Sequence, residues 1–84
     1  AVRIVSAEGS ITARAKAWDG TRPGVVVKCY GQGHWAYGRV AAVDFEHGIP
    51  RGGNNNEIIP AEWERASGAT ARHGGLTRVR IERA

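Results

Sequence analysis

Between residues 11 and 17 the chain alternates without a break, with Ile11, Ala13, Ala15 and Ala17 apolar and Thr12, Arg14 and Lys16 polar. Successive side chains of an extended strand point to opposite faces, so a period of two predicts a strand with one dry face and one basic, wet face. Residues 2–6 behave similarly, Val2 and Ile4 flanking Arg3, and Ala7-Glu8-Gly9-Ser10 supplies a turn between the two segments. They are therefore expected to form an antiparallel hairpin. The small alanines leave room for something bulky to approach the dry face. Residues 77–82 alternate again, Val79 and Ile81 in, Arg78 and Arg80 out, and are expected to lie beside the first strand.

The middle of the chain is punctuated by breakers. Trp18-Asp19-Gly20-Thr21-Arg22-Pro23-Gly24 is a connection, with Pro23-Gly24 a strong turn signal. The unalternated Val25, Val26 and Val27, followed by Lys28, Cys29 and Tyr30, predict a strand buried on both faces, with Cys29 a small core or barrel-wall residue. Val40-Ala41-Ala42-Val43 suits either a helical turn or a strand. Residues 44–56 read almost wholly as loop, rich in glycine and ending in Asn54-Asn55-Asn56. A loop of that length in so small a domain is either disordered or wrapped around a ligand or partner. Glu57-Ile58-Ile59 is a short apolar strand or turn. Pro60 to Ala66 predicts one or two helical turns, Pro60 at the first position and Ser67-Gly68 as the stop.

A chain of 84 residues makes one domain at most, and one this small buries only about 60% of the surface its unfolded form exposes. A single cysteine excludes an internal disulfide, and Cys29 with three scattered histidines makes no zinc spacing. Neither usual staple is visible, so the missing stability is expected from a larger body; the start at Ala1 rather than methionine suits a piece of something longer. No apolar run approaches the roughly 18 residues of a membrane span, and the compartment, cytoplasm or periplasm, is left open. The net charge is +4, and ten of the twelve basic residues are arginine, Lys16 and Lys28 being the exceptions. Arginine's planar fork matches phosphate and carboxylate oxygens two at a time, although arginine bias also follows from GC-rich codon usage.

The densest chemistry lies in Gly31-Gln32-Gly33-His34-Trp35-Ala36-Tyr37-Gly38-Arg39. Its glycines allow positive φ and close approach to another surface, while Gln32, His34 and Arg39 supply donors and Trp35 and Tyr37 flat faces. That is the composition of a ligand cradle, or else of a surface loop whose aromatics cap the core. His47 and His73 are expected at the surface, and Trp18 and Trp63 as core plugs. Glu62 and Glu64, two apart, do not make an acid/base dyad.

The segments, taken in order, resemble the C-terminal molybdopterin-dinucleotide-binding domain of the DMSO-reductase-type molybdenum and tungsten oxidoreductases. The match runs from the first strand through Gly9-Ser10-Ile11-Thr12-Ala13-Arg14-Ala15, Arg22-Pro23-Gly24-Val25-Val26, the His34-Trp35 loop, Asn56 ahead of Ile58-Ile59, Ser67-Gly68 and Val79-Arg80-Ile81-Glu82. The resemblance implies a mainly β fold, a small double-psi β-barrel of about six strands with one or two short helices. It also implies a molybdopterin guanine dinucleotide, carrying molybdenum or tungsten, held by Gly31, Gln32, Gly33, His34, Trp35 and Asn56. Tyr37 and Arg39 join them by chemistry alone. No residue of this chain is expected to bind the metal or to be catalytic, and Cys29 does not match the family's metal ligand. Iron–sulfur clusters belong to the remainder of such an enzyme, whose other domains and an iron–sulfur electron-transfer subunit are the expected partners. The Gly-x-Gly-His-Trp form resembles the branch reducing oxyanions and sulfur compounds, such as arsenate or thiosulfate. Two rival readings from the residues are a basic barrel stacking nucleic acid on Trp35 and Tyr37, and a barrel serving only protein contacts.

Overall fold

A computed structural model describes residues 1–34, 42–44, 46–69 and 77–84. Among these the regular structure is mainly strand: β1 (Val2–Val5), β2 (Ser10–Ala13), β3 (Ala42–Asp44), β4 (Ile49–Pro50) and β5 (Arg80–Arg83), with one 3₁₀ turn at Asn55–Glu57. β1 is the centre of a three-stranded antiparallel sheet of order β2-β1-β5, and β3 and β4 form a separate hairpin. The two sheets do not close on each other among the described residues.

The first hairpin forms as its alternation predicts. Ser6 N–H donates to the Gly9 carbonyl at 2.8 Å, and the Ser6 hydroxyl accepts from the amides of Glu8 and Gly9. The short polar side chain thus takes up turn donors that no strand partner can reach. The register sets Ile4 opposite both Ile11 and Ile81. Residues directly opposite in an antiparallel ladder share a face, and that face carries the core. Ile4, Ile11 and Ile58 are buried, with Val2, Ala13, Ile59 and Val79 packed against them.

The opposite face is wet and carries its own counter-charge. Glu82 lies across from Arg3 in the ladder; Arg3 Nη2 reaches Glu82 Oε2 at 2.7 Å and Arg80 Nη2 reaches Oε1 at 2.7 Å. Hydrogen bonds from Arg3 and then Arg80 hold the Glu82 carboxyl below its ordinary value of 4.5. A lowered folded-state value means that this pair supports the β1–β5 ladder above the ordinary carboxyl range, and that the support is lost as pH falls through and below it. Acid titration of unfolding from about pH 6 to about pH 3 is expected to show this loss, and Glu82→Gln to remove it from the profile. An identical acid limb in both proteins would exclude the pair as its source. Beside this ladder the Ala84 N–H approaches the Ala1 carbonyl at 3.5 Å.

Several expectations are corrected. β2 ends at Ala13, and Ala15 and Ala17 are exposed rather than dry. Residues 25–30 are not a strand buried on both faces: they form no ladder, Val27 is 70% and Tyr30 88% exposed, and Cys29 is exposed. Burial on two faces needs a strand on each side, and the described chain brings none to the valines. The turn before them does form, Val25 N–H donating to the Arg22 carbonyl at 3.1 Å around Pro23-Gly24. Trp18 and Trp63, expected as core plugs, are 66% and 68% exposed. Residues 44–56 are not wholly loop, since they include β4 and the start of the 3₁₀ turn.

Residues 60–66 form no helix. The Glu64 carboxylate instead accepts from Ala66 N–H at 3.0 Å, Ser67 N–H at 2.7 Å and the Ser67 hydroxyl at 2.8 Å. The Gly68 N–H closes one turn onto the Glu64 carbonyl at 2.8 Å. A carboxylate that collects the amides following it caps a single turn, and the chain has no room before Gly68 to propagate it. The amide of Ala66, followed by the hydroxyl and amide of Ser67, keeps the Glu64 carboxyl below its usual range, so Glu64 is a structural acceptor. No helix among the described residues is long and apolar enough to cross a membrane.

Candidate functional site

The glycine-rich loop and the triple asparagine, about twenty residues apart in sequence, meet in space. Gly33 N–H donates to the Arg51 carbonyl at 2.8 Å. Gly33 is buried with φ +82, and a methyl group in place of its hydrogen would overlap the Asn54 amide nitrogen and stand 2.7 Å from both Asn54 Cα and the Gly53 carbonyl carbon. Only glycine meets both demands, a left-handed backbone and a neighbour's main chain at contact distance. Gln32 lies over Gly52, its Oε1 2.6 Å from where a side chain at Gly52 would begin.

Residues 31–34 and residues 51–56 thus form the two strips of a ledge, and the second strip is pinned from below. Gly53 is buried against β2, where a methyl group would stand 2.8 Å from Ile11 Cβ and 3.1 Å from the Thr12 carbonyl oxygen. Asn54 caps the 3₁₀ turn, its Oδ1 accepting from Asn56 N–H at 3.0 Å. This is the local bond that favours asparagine at such a start. Ile58 then drops into the core, while the β1–β2 turn closes on the other side, Gly9 leaving room for the Glu57 carbonyl.

Of the residues singled out from sequence, Gly31, Gln32, Gly33 and His34 lie on one strip of this ledge and Asn56 on the other. Gly31, Gln32, His34 and Asn56 are exposed. The Asn56 side-chain amide makes no hydrogen bond among the described residues, and Gly31, at φ +83, has open space where a side chain would start. Main chain at Gly31 is therefore open to the approach of a flat heterocycle, and exposed Asn56 offers an amide that both donates and accepts. Trp35, Tyr37 and Arg39 lie outside the described residues, as do His73, Val40 and Ala41. His47 is exposed in the turn before β4. Among the described residues no group of three or more His, Cys, Asp or Glu is placed to hold a metal.

Sequence reasoning missed Lys28. Its ammonium donates to the Gly53 carbonyl at 2.8 Å, to Asn55 Oδ1 at 2.6 Å and to the Cys29 carbonyl at 3.1 Å. A lone lysine after three valines gives no sequence signal for such a role.

A cavity of about 510 Å³ lies elsewhere, between the sheet and the valine run. Its lining includes Val2, Ile4, Val25, Val26, Val27 and Ile81 together with the cations Arg14, Lys16 and Lys28, and none of the ledge residues named from sequence. Its wall is mostly apolar, which suits packing of protein against protein.

The family model described as molydopterin dinucleotide binding domain matches residues 1–76. The chain belongs to that family. Two curated relatives of this molydopterin dinucleotide binding domain are each described as an arsenate respiratory reductase molybdopterin-containing subunit ArrA. The one from Chrysiogenes arsenatis is 55% identical over 83 residues, covering 99% of this chain and 10% of the relative. The one from Shewanella sp. (strain ANA-3) is 53% identical over 83 residues, covering 98% and 9%. The chain thus spans about a tenth of the length of the curated relatives it matches. Neither comparison supports a nucleic-acid role, and of the sheet's wet-face arginines Arg3 and Arg80 are already engaged by Glu82.

Proposed function

We propose that residues 1–84 form a single cofactor-binding domain within the catalytic subunit of a molybdopterin-dependent oxyanion reductase, with arsenate as the substrate of the whole enzyme. The observation that carries this reading is the ledge itself, two donor-bearing strips locked main chain to main chain within a domain of the molydopterin dinucleotide binding family. Identity above one half to two arsenate reductase subunits supports the oxyanion branch.

In this reading the pterin and guanine nucleotide of a molybdopterin guanine dinucleotide lie along Gly31, Gln32, Gly33 and His34, with Asn56 facing a pterin edge and Trp35, Tyr37 and Arg39 completing the rim. The chemistry supplied by the bound group is electron transfer at molybdenum or tungsten. The chain's own work is to bind and orient: glycine backbone admits a ring edge, and His34 and Asn56 fix its rotation by hydrogen bonds. The three-stranded sheet and the β3–β4 hairpin are two parts of a double-psi barrel. Its apolar cavity beside the valine run is covered by other domains of the same catalytic polypeptide, to which an iron–sulfur electron-transfer subunit is attached. The exposure of Trp18 and of the valines supports that packing.

His34→Ala and Asn56→Ala in the intact enzyme test the site. Each removes one hydrogen-bonding group worth about 1 kcal/mol, so cofactor retention is expected to weaken about fivefold. Because both residues are exposed, the fold is expected to persist. Molybdenum or tungsten and pterin are measured per polypeptide; undiminished content in both variants removes the two residues from the site.

A further inference from the structure

We propose that Lys28 is a positioning residue for the cofactor, holding the asparagine strip of the ledge at the height and angle at which Asn56 meets the ring; this rests on the cofactor reading above. An ammonium has three N–H donors and no acceptor, and Lys28 directs all three inward, to two main-chain carbonyls and the Asn55 side chain. It is half-buried and has no donor left for a phosphate of the ligand. Two of its three partners lie 25 and 27 residues away, so the clamp joins segments whose connection in sequence runs through the whole glycine and aromatic loop.

The clamp also divides the work of the three asparagines. Asn54 spends its side chain on the amide of Asn56, Asn55 spends its own on Lys28, and Asn56 is left facing outward. Charge-assisted bonds of this kind are about twice as strong as neutral ones. Gly53 is pressed on Ile11 beneath and held by Lys28 at its carbonyl, so the strip is fixed at one end by an ion and at the other by Ile58 in the core. Arginine does not reproduce this geometry, since its donors lie in one plane on a rigid fork while the lysine donors radiate from a point.

The test is made on the full-length enzyme, with and without cofactor, by amide hydrogen exchange over residues 53–58 and by pterin content per polypeptide. Lys28→Met keeps the apolar stem and removes the donors. It is expected to raise exchange at residues 56–58 at least tenfold in the cofactor-free protein, to lower pterin content several-fold, and to leave β1 and β2 as protected as before. Lys28→Arg is expected to restore neither property fully. Unchanged exchange over residues 53–58 overturns the proposal, and so does full pterin content alongside faster exchange. Should Lys28→Met disturb the sheet itself, Asn55→Ala carries the test, removing one of the three contacts and leaving the lysine; wild-type exchange and pterin content there also overturn it. Failure of the cofactor reading is separately visible, because Asn56→Ala then keeps its pterin while the exchange measurement still reports the clamp.

Discussion

Gly33→Ala is expected to separate the two strips of the ledge. The left-handed backbone at φ +82 costs about 1–2 kcal/mol for any residue with a Cβ. The added methyl group must then displace main chain at Gly53 and Asn54, which cannot swing aside as a side chain would. Gly31→Ala is the control. Its φ of +83 imposes the same strain, yet nothing lies within 4 Å of the new group, so its cost stays at about 1–2 kcal/mol. Denaturant midpoints are therefore expected to fall clearly further for Gly33→Ala than for Gly31→Ala, with cofactor retention lost in the first. Equal shifts would mean that residues 31–34 do not dock on residues 51–54.

Ile11→Ala is expected to have the largest effect on stability, about 2–5 kcal/mol. Ile11 is 5% exposed and is one of three buried apolar residues among those described, so the substitution removes a large share of a small core. It also removes the surface under Gly53, which links the sheet to the ledge. Hydrogen exchange is expected to quicken in β1, β2 and residues 53–58 together. Ile81→Ala is the comparison: it shares the face of Ile4 but is 43% exposed, and is expected to cost under about 1 kcal/mol. A loss below about 1 kcal/mol for Ile11→Ala would show that the core lies elsewhere.

What the sequence made legible is what depends on near neighbours or strict period. The β1–β2 hairpin, the pairing of β5 with β1 and the turn at Pro23-Gly24 all follow from alternation or from residues that restrict the backbone. The valine run misled because an unalternated apolar stretch says only that both faces seek cover, and the strands that would give it are not among the described residues. The helix expected after Pro60 failed for a local reason: the Glu64 side chain competes for the amides that a helix would have used. Composition marked residues 31–39 as a candidate cradle and the family resemblance added Asn56, but neither contained a clue that Gly33 would seat on Asn54. The clamp was less legible still, because three oxygens converge on Lys28 only after the chain has folded.

The contact of Ala84 with Ala1 has a mechanical consequence. Both ends of the chain leave the same side of the sheet, as neighbours in one antiparallel ladder whose outermost rung is Val2 with Arg83. Tension applied at the two ends therefore peels β5 from β1 one rung at a time and does not shear the apolar face. The Arg3–Glu82 pair occupies the second rung, where it resists the earliest stage of that unzipping.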